Sequence, residues 1–261
     1  MTKVQLSYGI RDGVPVPITA ITPESNGNKC DCVCPACGKA LQARTLGKKR
    51  AAHFAHKAAS NCQPETIQHQ TAKFLLQWRI KSAITDGKPL LLNWCCESCA
   101  KNFSMDITKS VESVEVEKGI ASIRPDVVTI DHEGNPVALI EVVFENHPSD
   151  EKVQFAKERQ FNLIEFNIKA DPETALKTLE TSEVLSPSRV RPCHSEYCAL
   201  NDFSDTQKPP TKDSPLSSDP HCLREGETEE TSSGWLPVVV GVLFAGCVLR
   251  AGWKSLSKWL R

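Results

Sequence analysis

The chain has 261 residues, enough for one medium globular domain and a small satellite, and a formal net charge of only -1, which excludes whole-chain charge as a guide to partners. The charge is unevenly spread: residues 1–90 hold thirteen Lys or Arg against five Asp or Glu, whereas Leu200 to Gly234 holds eight acids against three bases. Twelve cysteines would fit a secreted disulfide scaffold, but MTKVQLSYGIRDG lacks the basic-then-apolar profile of a secretory signal, so Cys-x2-Cys pairs read as metal ligands.

Residues 1–62 are rich in Cys, Gly, Pro, Lys and His, with few periodic apolar residues, so a small zinc-ribbon-like region stapled by metal is expected. Cys34-Pro-Ala-Cys37-Gly38 is a knuckle that brings two thiolates to one ion, with Gly38 freeing the backbone to turn. His53-Phe-Ala-His56 supplies the remaining pair of a Cys2His2 site, with Cys62 the alternative in a Cys3His site. Cys30 and Cys32 are surplus to that count.

PETIQHQTAKFLLQWRIKSAITD, residues 64–86, is free of internal Gly and Pro and predicts a helix. Pro64 and Glu65 suit its first turn, Gly87 and Pro89 its end, and Ile67, Phe74, Leu75, Trp78 and Ile80 form its apolar stripe. Glu65, His69 and Lys73 fall at i, i+4 and i+8 and share a face.

Between Pro89 and Ile168, runs rich in β-branched residues predict strands at PLLLNW, NFSMDIT, VESVEVE, SIRPDVVTI, PVALIEVVF and NLIEFNI, with helices at 151–159 and 172–180. That order predicts an α/β (α+β) domain over residues 63–200, a mixed sheet flanked by helices. A second pair, Cys96 and Cys99, needs distant partners, for which Cys193 and Cys198 are nominated, with His194 a substitute, in a second zinc site.

Centring the turn of SIRPDVVTIDHEGNPVALIEVVF between Glu133 and Gly134 sets Ile130 against Val137, Val128 against Leu139 and Asp126 against Glu141. Facing carboxylates about 5 Å apart repel unless a cation lies between them, and oxygen donors suit Mg2+ or Mn2+. Another register would leave them two unrelated acids.

Residues 201–234, rich in Asp, Ser, Thr, Pro and Glu, read as a disordered linker. Residues 235–261 open with fifteen uncharged apolar residues, Trp235 to Leu249, and end in RAGWKSLSKWLR, whose Trp253, Leu256, Trp259 and Leu260 face away from Arg250, Lys254, Lys258 and Arg261. A membrane-associating hydrophobic helix is expected there, lying shallowly on the inner membrane and holding a cytoplasmic body.

The CPACG knuckle, HFAH, the helix bearing Glu65, His69 and Lys73, the Pro125-Asp126 pair, and Glu141 followed by Val142-Val143 together resemble the CoiA-like competence protein family. The resemblance covers about Cys34 to Ile168 and implies a zinc-binding region joined to a restriction-endonuclease-like PD-(D/E)XK nuclease domain. It implies Asp126 and Glu141 as Mg2+ or Mn2+ ligands, Glu65 as a third acid, and structural Zn2+ in the N-terminal region. Asp126, Glu141, Glu65 and Lys73 are then the expected catalytic residues of a phosphodiester hydrolase acting on nucleic acid, DNA ahead of RNA. One position departs from the pattern, since Val143 stands where the superfamily often has Lys. Lys73 or Lys152 could take that role and His147 could carry a proton; otherwise the chain is an inactive, membrane-tethered nucleic-acid-binding module.

Overall fold

The computed structural model describes residues 6–47, 50–97 and 99–192. All of these belong to the first of two compact units, Met1–Cys222; the second, Leu223–Arg261, lies outside the described residues, as do the linker and tail expected at 201–261. Among the described residues, no helix is long and apolar enough to cross a membrane.

The N-terminal region is built from two hairpins. Strands β1 (Tyr8–Arg11) and β2 (Val14–Pro17) pair around Asp12 and Gly13, both at positive φ as a two-residue hairpin turn requires. Strands β3 (Leu41–Arg44) and β4 (His53–His56) pair antiparallel, Leu41 opposite His56. Between them Leu6, Val16, Ile18, Leu41, Phe54 and Ile67 bury together with Cys30, Cys32 and Cys34, so the region has more apolar core than its sequence suggests. The supply comes from the cysteines, which pack as small hydrophobes. A Cβ on Gly9 would lie 2.8 Å from the Cys32 Cβ, so only glycine fits there.

Helix α1 (Pro64–Asp86) has the predicted bounds: Pro64 occupies the first turn, and Gly87 at φ 63 donates its N–H to the Ala83 and Ile84 carbonyls. Its most buried apolar residues are Ile67, Ala72, Leu75, Leu76 and Ile80, while Phe74 and Trp78 of the predicted stripe are half-buried.

The remaining strands are β5 (Leu91–Cys95), β6 (Asn102–Asp106), β7 (Ser113–Val116), β8 (Val127–Ile130), β9 (Pro136–Val143), β10 (Asn162–Asn167), β11 (Val184–Leu185) and β12 (Arg189–Arg191). Helix α2 (Asp150–Arg159) links β9 to β10, and α3 (Pro172–Thr181) follows β10. The main sheet runs β12-β10-β9-β8-β7, with β9 and β10 parallel and the other pairs antiparallel; a three-stranded sheet runs β11-β5-β6. Alternation along β9 divides the domain core. Ala138, Ile140 and Val142 bury in the same cluster as Leu75, Leu76 and Leu176 of α1 and α3, whereas Leu139 packs with Leu163 and Ala156 of α2. The result is the expected mixed α+β arrangement, helices on both faces of a central sheet.

Candidate functional site

Four metal-ligating side chains converge in the N-terminal region. Ligand atoms of Cys34, Cys37, His56 and Cys62 all lie within 4.8 Å of one another. The knuckle carries the first two: the Cys34 N–H donates to the Lys39 carbonyl at 2.8 Å, the Gly38 N–H to the Cys34 carbonyl at 2.9 Å, and Gly38 has φ 67. His56 ends β4, with Nε2 3.5 Å from the Cys37 Sγ, and Cys62 precedes α1. Thiolates tetrahedral about zinc at about 2.3 Å would stand roughly 3.8 Å apart, so three sulfurs and one imidazole fit that ion. Burial pushes the Cys34 thiol up to about 12. Burial also works to raise Cys37, but the Lys39 amide and hydrogen bonds with Cys62, His56 and Cys34 outweigh it and draw that thiol down to about 6.

His53 does not join this group, which corrects the expected Cys2His2 set to Cys3His. HFAH is a strand, and residues three apart on a strand point to opposite faces. Nδ1 of His53 lies 2.8 Å from the Ala51 carbonyl oxygen. Cys30 and Cys32 are buried, their thiols directed at the Leu41 and Cys30 carbonyls. Cys96 and Cys99 lie on the turn between β5 and β6, and the partners nominated for them, Cys193 and Cys198, lie outside the described residues.

A second constellation gathers at one end of the main sheet. Val127 pairs with Ile140 and Val128 with Leu139, a register that sets the next residue, Asp126, opposite Glu141. Ile130 faces Pro136 rather than Val137, because a bulge between Thr129 and Ile130 shifts the ladder beside the turn, where Asp131 accepts from the Glu133 and Asn135 N–H groups. From α1, Lys73 reaches Asp126 Oδ1 at 2.8 Å and Glu117 Oε1 at 2.9 Å, and is only 4% exposed. His69 Nε2 lies 3.2 Å from Asp126 Oδ2 and 2.8 Å from the Val142 carbonyl oxygen, while the Val142 N–H donates to Asp126 Oδ2 at 2.8 Å. From α2, Lys152 donates to both Glu141 oxygens at 2.8 and 2.9 Å. Each buried acid thus has an ammonium brought by a different helix. Glu65, one turn before His69, is exposed and stays outside this network among the described residues.

The two acids are tuned apart. Burial works to raise Asp126, but hydrogen bonds from His69 and Lys73, the Lys73 charge and the Val142 amide prevail, and the carboxyl falls to about 2. Burial raises Glu141, the Lys152 hydrogen bond opposes it, and the neighbouring Asp126 charge adds to the rise.

Two further acids join the site that were not among the expected site residues. Glu117 follows β7, donates its N–H to the Asp126 carbonyl at 3.0 Å, and accepts from Gln70 as well as Lys73. Glu165 on β10 pairs in register with Glu141, is 1% exposed, and meets His147 Nδ1 and an Arg191 nitrogen, each at 3.1 Å. Glu117 is one of several acids in VESVEVE and nothing in spacing marks it, whereas a lone acid inside the apolar run NLIEFNI was a readable signal.

Residues 22–65 match the family model of the N-terminal domain of the competence protein CoiA. Over these residues the chain is similar to that domain. That match contains the whole Cys3His quartet and stops at Glu65. No curated protein and no solved structure matches the chain.

Ionised Asp126 contributes to the stability of the fold. Its folded value of about 2 lies below the ordinary 3.8, so the contribution is complete above the unfolded value and lost as pH falls toward about 2. A depression of nearly two units corresponds to about 2 kcal/mol. Asp126→Asn is expected to lower the urea-unfolding free energy by about that amount at neutral pH and to flatten its fall below about pH 4. Glu141 has the opposite sign, since its ionised form costs stability above its raised folded value and protonation relieves that cost.

Proposed function

We propose that the chain is a divalent-metal-dependent nuclease that hydrolyses phosphodiester bonds, in DNA ahead of RNA, and that its α+β domain is restriction-endonuclease-like. The observation that carries this reading is the buried, facing pair Asp126 and Glu141, each held by a lysine at one end of the mixed sheet. The donor chemistry fits Mg2+ or Mn2+: two hard carboxylates side by side, one raised partly by the charge of the other. Asp126 and Glu141 would hold the ion, which when bound supplies an activated water and neutralises charge at phosphorus. Glu65, exposed one turn before His69, is the third acid of this reading.

Lys152 takes the role left open by Val143, which is buried in the sheet. Its ammonium sits on both Glu141 oxygens, from where it would neutralise the phosphate or polarise the attacking water. Lys73 neutralises phosphate, and His69 holds Asp126 and the Val142 carbonyl in place. The basic residues of positions 1–90 grip the nucleic-acid backbone, and the tail at 235–261 holds the cytoplasmic body on the inner membrane.

A second reading, an inactive nucleic-acid-binding module, draws on the same ion pairs, because Lys73 and Lys152 already satisfy both carboxylates. Lys152→Met separates the two. With the full chain, labelled DNA and Mn2+, the variant is expected to cut about 100- to 1,000-fold more slowly while binding DNA within a few-fold of wild type. Binding by both proteins with cleavage by neither would favour the inactive module.

A further inference from the structure

Phosphodiester hydrolysis needs a proton that the groups placed so far do not give. Water adds at phosphorus, the bond from phosphorus to the leaving sugar oxygen breaks, and its electron pair stays on an alkoxide that must be protonated. Asp126, drawn down to about 2, carries no proton near neutrality. Both Glu141 oxygens accept from Lys152, and the Lys73 ammonium is held between Asp126 and Glu117.

A donor stands one strand further along the sheet. Glu165 of β10 is the register partner of Glu141 on the parallel neighbour β9. Alternation puts both side chains on the face that packs α2, the face of Leu139, Leu163 and Ala156. Each of these two carboxylates holds a nitrogen from the stretch that leads from β9 into α2: Lys152 Nζ on Glu141 at 2.8 and 2.9 Å, and His147 Nδ1 on Glu165 Oε2 at 3.1 Å. Neighbouring strands are about 4.8 Å apart, so imidazole and ammonium are seated side by side.

Glu165 is 1% exposed, whereas the His147 side chain is 62% exposed. Burying an acid inside the apolar run NLIEFNI is costly, and holding a ring in place gives that acid a task. The Arg191 guanidinium lies 3.1 Å from Glu165 Oε1. A carboxylate held by a guanidinium accepts from its other neighbour, so the Nδ1 proton points at Glu165 and Nε2 is the nitrogen left for a substrate.

We infer that His147 is the general acid that protonates the leaving oxygen and that Glu165 is the positioning residue that fixes its ring, an inference that rests on the nuclease reading above. Nε2 of the imidazolium gives its proton to the alkoxide as the bond to phosphorus breaks. The proton shed by the attacking water passes through solvent and restores the imidazolium, so one water is consumed and one hydroxyl and one phosphomonoester are formed. Imidazole suits the task because it gives and regains a proton near neutral pH.

The full, zinc-loaded chain with Mn2+ tests this on two labelled DNA strands, one ordinary and one with sulfur in place of the bridging oxygen that leaves, the 3′ and 5′ isomers both being tried. A thiolate departs without a proton. His147→Gln is expected to cut the ordinary strand about 100-fold more slowly than wild type and the sulfur strand within a few-fold of it. Glu165→Gln is expected to show a smaller loss with the same relief by sulfur, and if it does not fold, the exposed His147 decides alone. Nitrogen chemical shifts of the neutral His147 ring in wild type are expected to place its proton on Nδ1. Equal slowing on both strands, no slowing on either, or a proton on Nε2 of the neutral ring would overturn the inference. Wild type that cuts neither strand would remove the nuclease reading itself and this inference with it.

Discussion

Cys37→Ser is expected to abolish zinc binding at the N-terminal quartet and to reduce amide protection in Leu41–Arg44 and His53–His56 by about 1,000-fold, leaving the Val127–Ile130 and Pro136–Val143 ladder protected. The quartet joins three separate pieces: a turn before β3, the end of β4, and the segment entering α1. The apolar cluster beneath it is small and includes three cysteines, and a core of that size supplies only about 3–5 kcal/mol, whereas a structural zinc site contributes about 10 kcal/mol or more. A thousandfold change is about 4 kcal/mol, roughly the whole stability such a region can have by itself. The main domain has its own clusters on both faces of the sheet, so the loss stops near α1, whose Ile67 packs in the N-terminal cluster while Leu75, Leu76 and Ile80 pack in the main one. Hydrogen exchange with mass-spectrometric readout checks both halves. Unchanged protection in β3 and β4 would show that the apolar cluster suffices without metal.

The second large effect concerns the acid pair. Asp126→Asn and Glu141→Gln are each expected to reduce metal-dependent cleavage by about 1,000-fold or more, and the double variant to be no slower than the worse single one, because both carboxylates would serve one ion. The substitutions keep side-chain size, and Lys73 keeps Glu117 as a partner in the Asp126 variant. DNA binding by the basic residues should therefore persist. If the two losses simply multiplied, the acids would be acting separately.

Much of this arrangement could be read from residues, for reasons that differ along the chain. Helix α1 was legible to its ends because Pro64 and Gly87 punctuate a run free of internal Gly and Pro. The register across β8 and β9 was legible because the Asp131 to Asn135 turn fixes it, and only the bulge at Thr129/Ile130 escaped. HFAH supplies one ligand rather than two because it is a strand, whose alternation lets only one of its histidines face the knuckle; Cys62, the alternative in a Cys3His site, completes the set. Lys152 was legible as a rival to Lys73, but its place on Glu141 depends on how α2 packs over Leu139 and Leu163, which no local pattern specifies. Glu117 and Glu165 join through neighbouring strands, and strand order is a long-range property.

The most direct measurement is cleavage by the full, zinc-loaded chain of labelled single- and double-stranded DNA with Mg2+ or Mn2+ and with EDTA, beside Asp126→Asn and Glu141→Gln. Cutting by wild type is expected to need the divalent ion and to disappear in both variants. DNA bound but left intact by wild type under every metal condition, or cut equally by the variants, would contradict it.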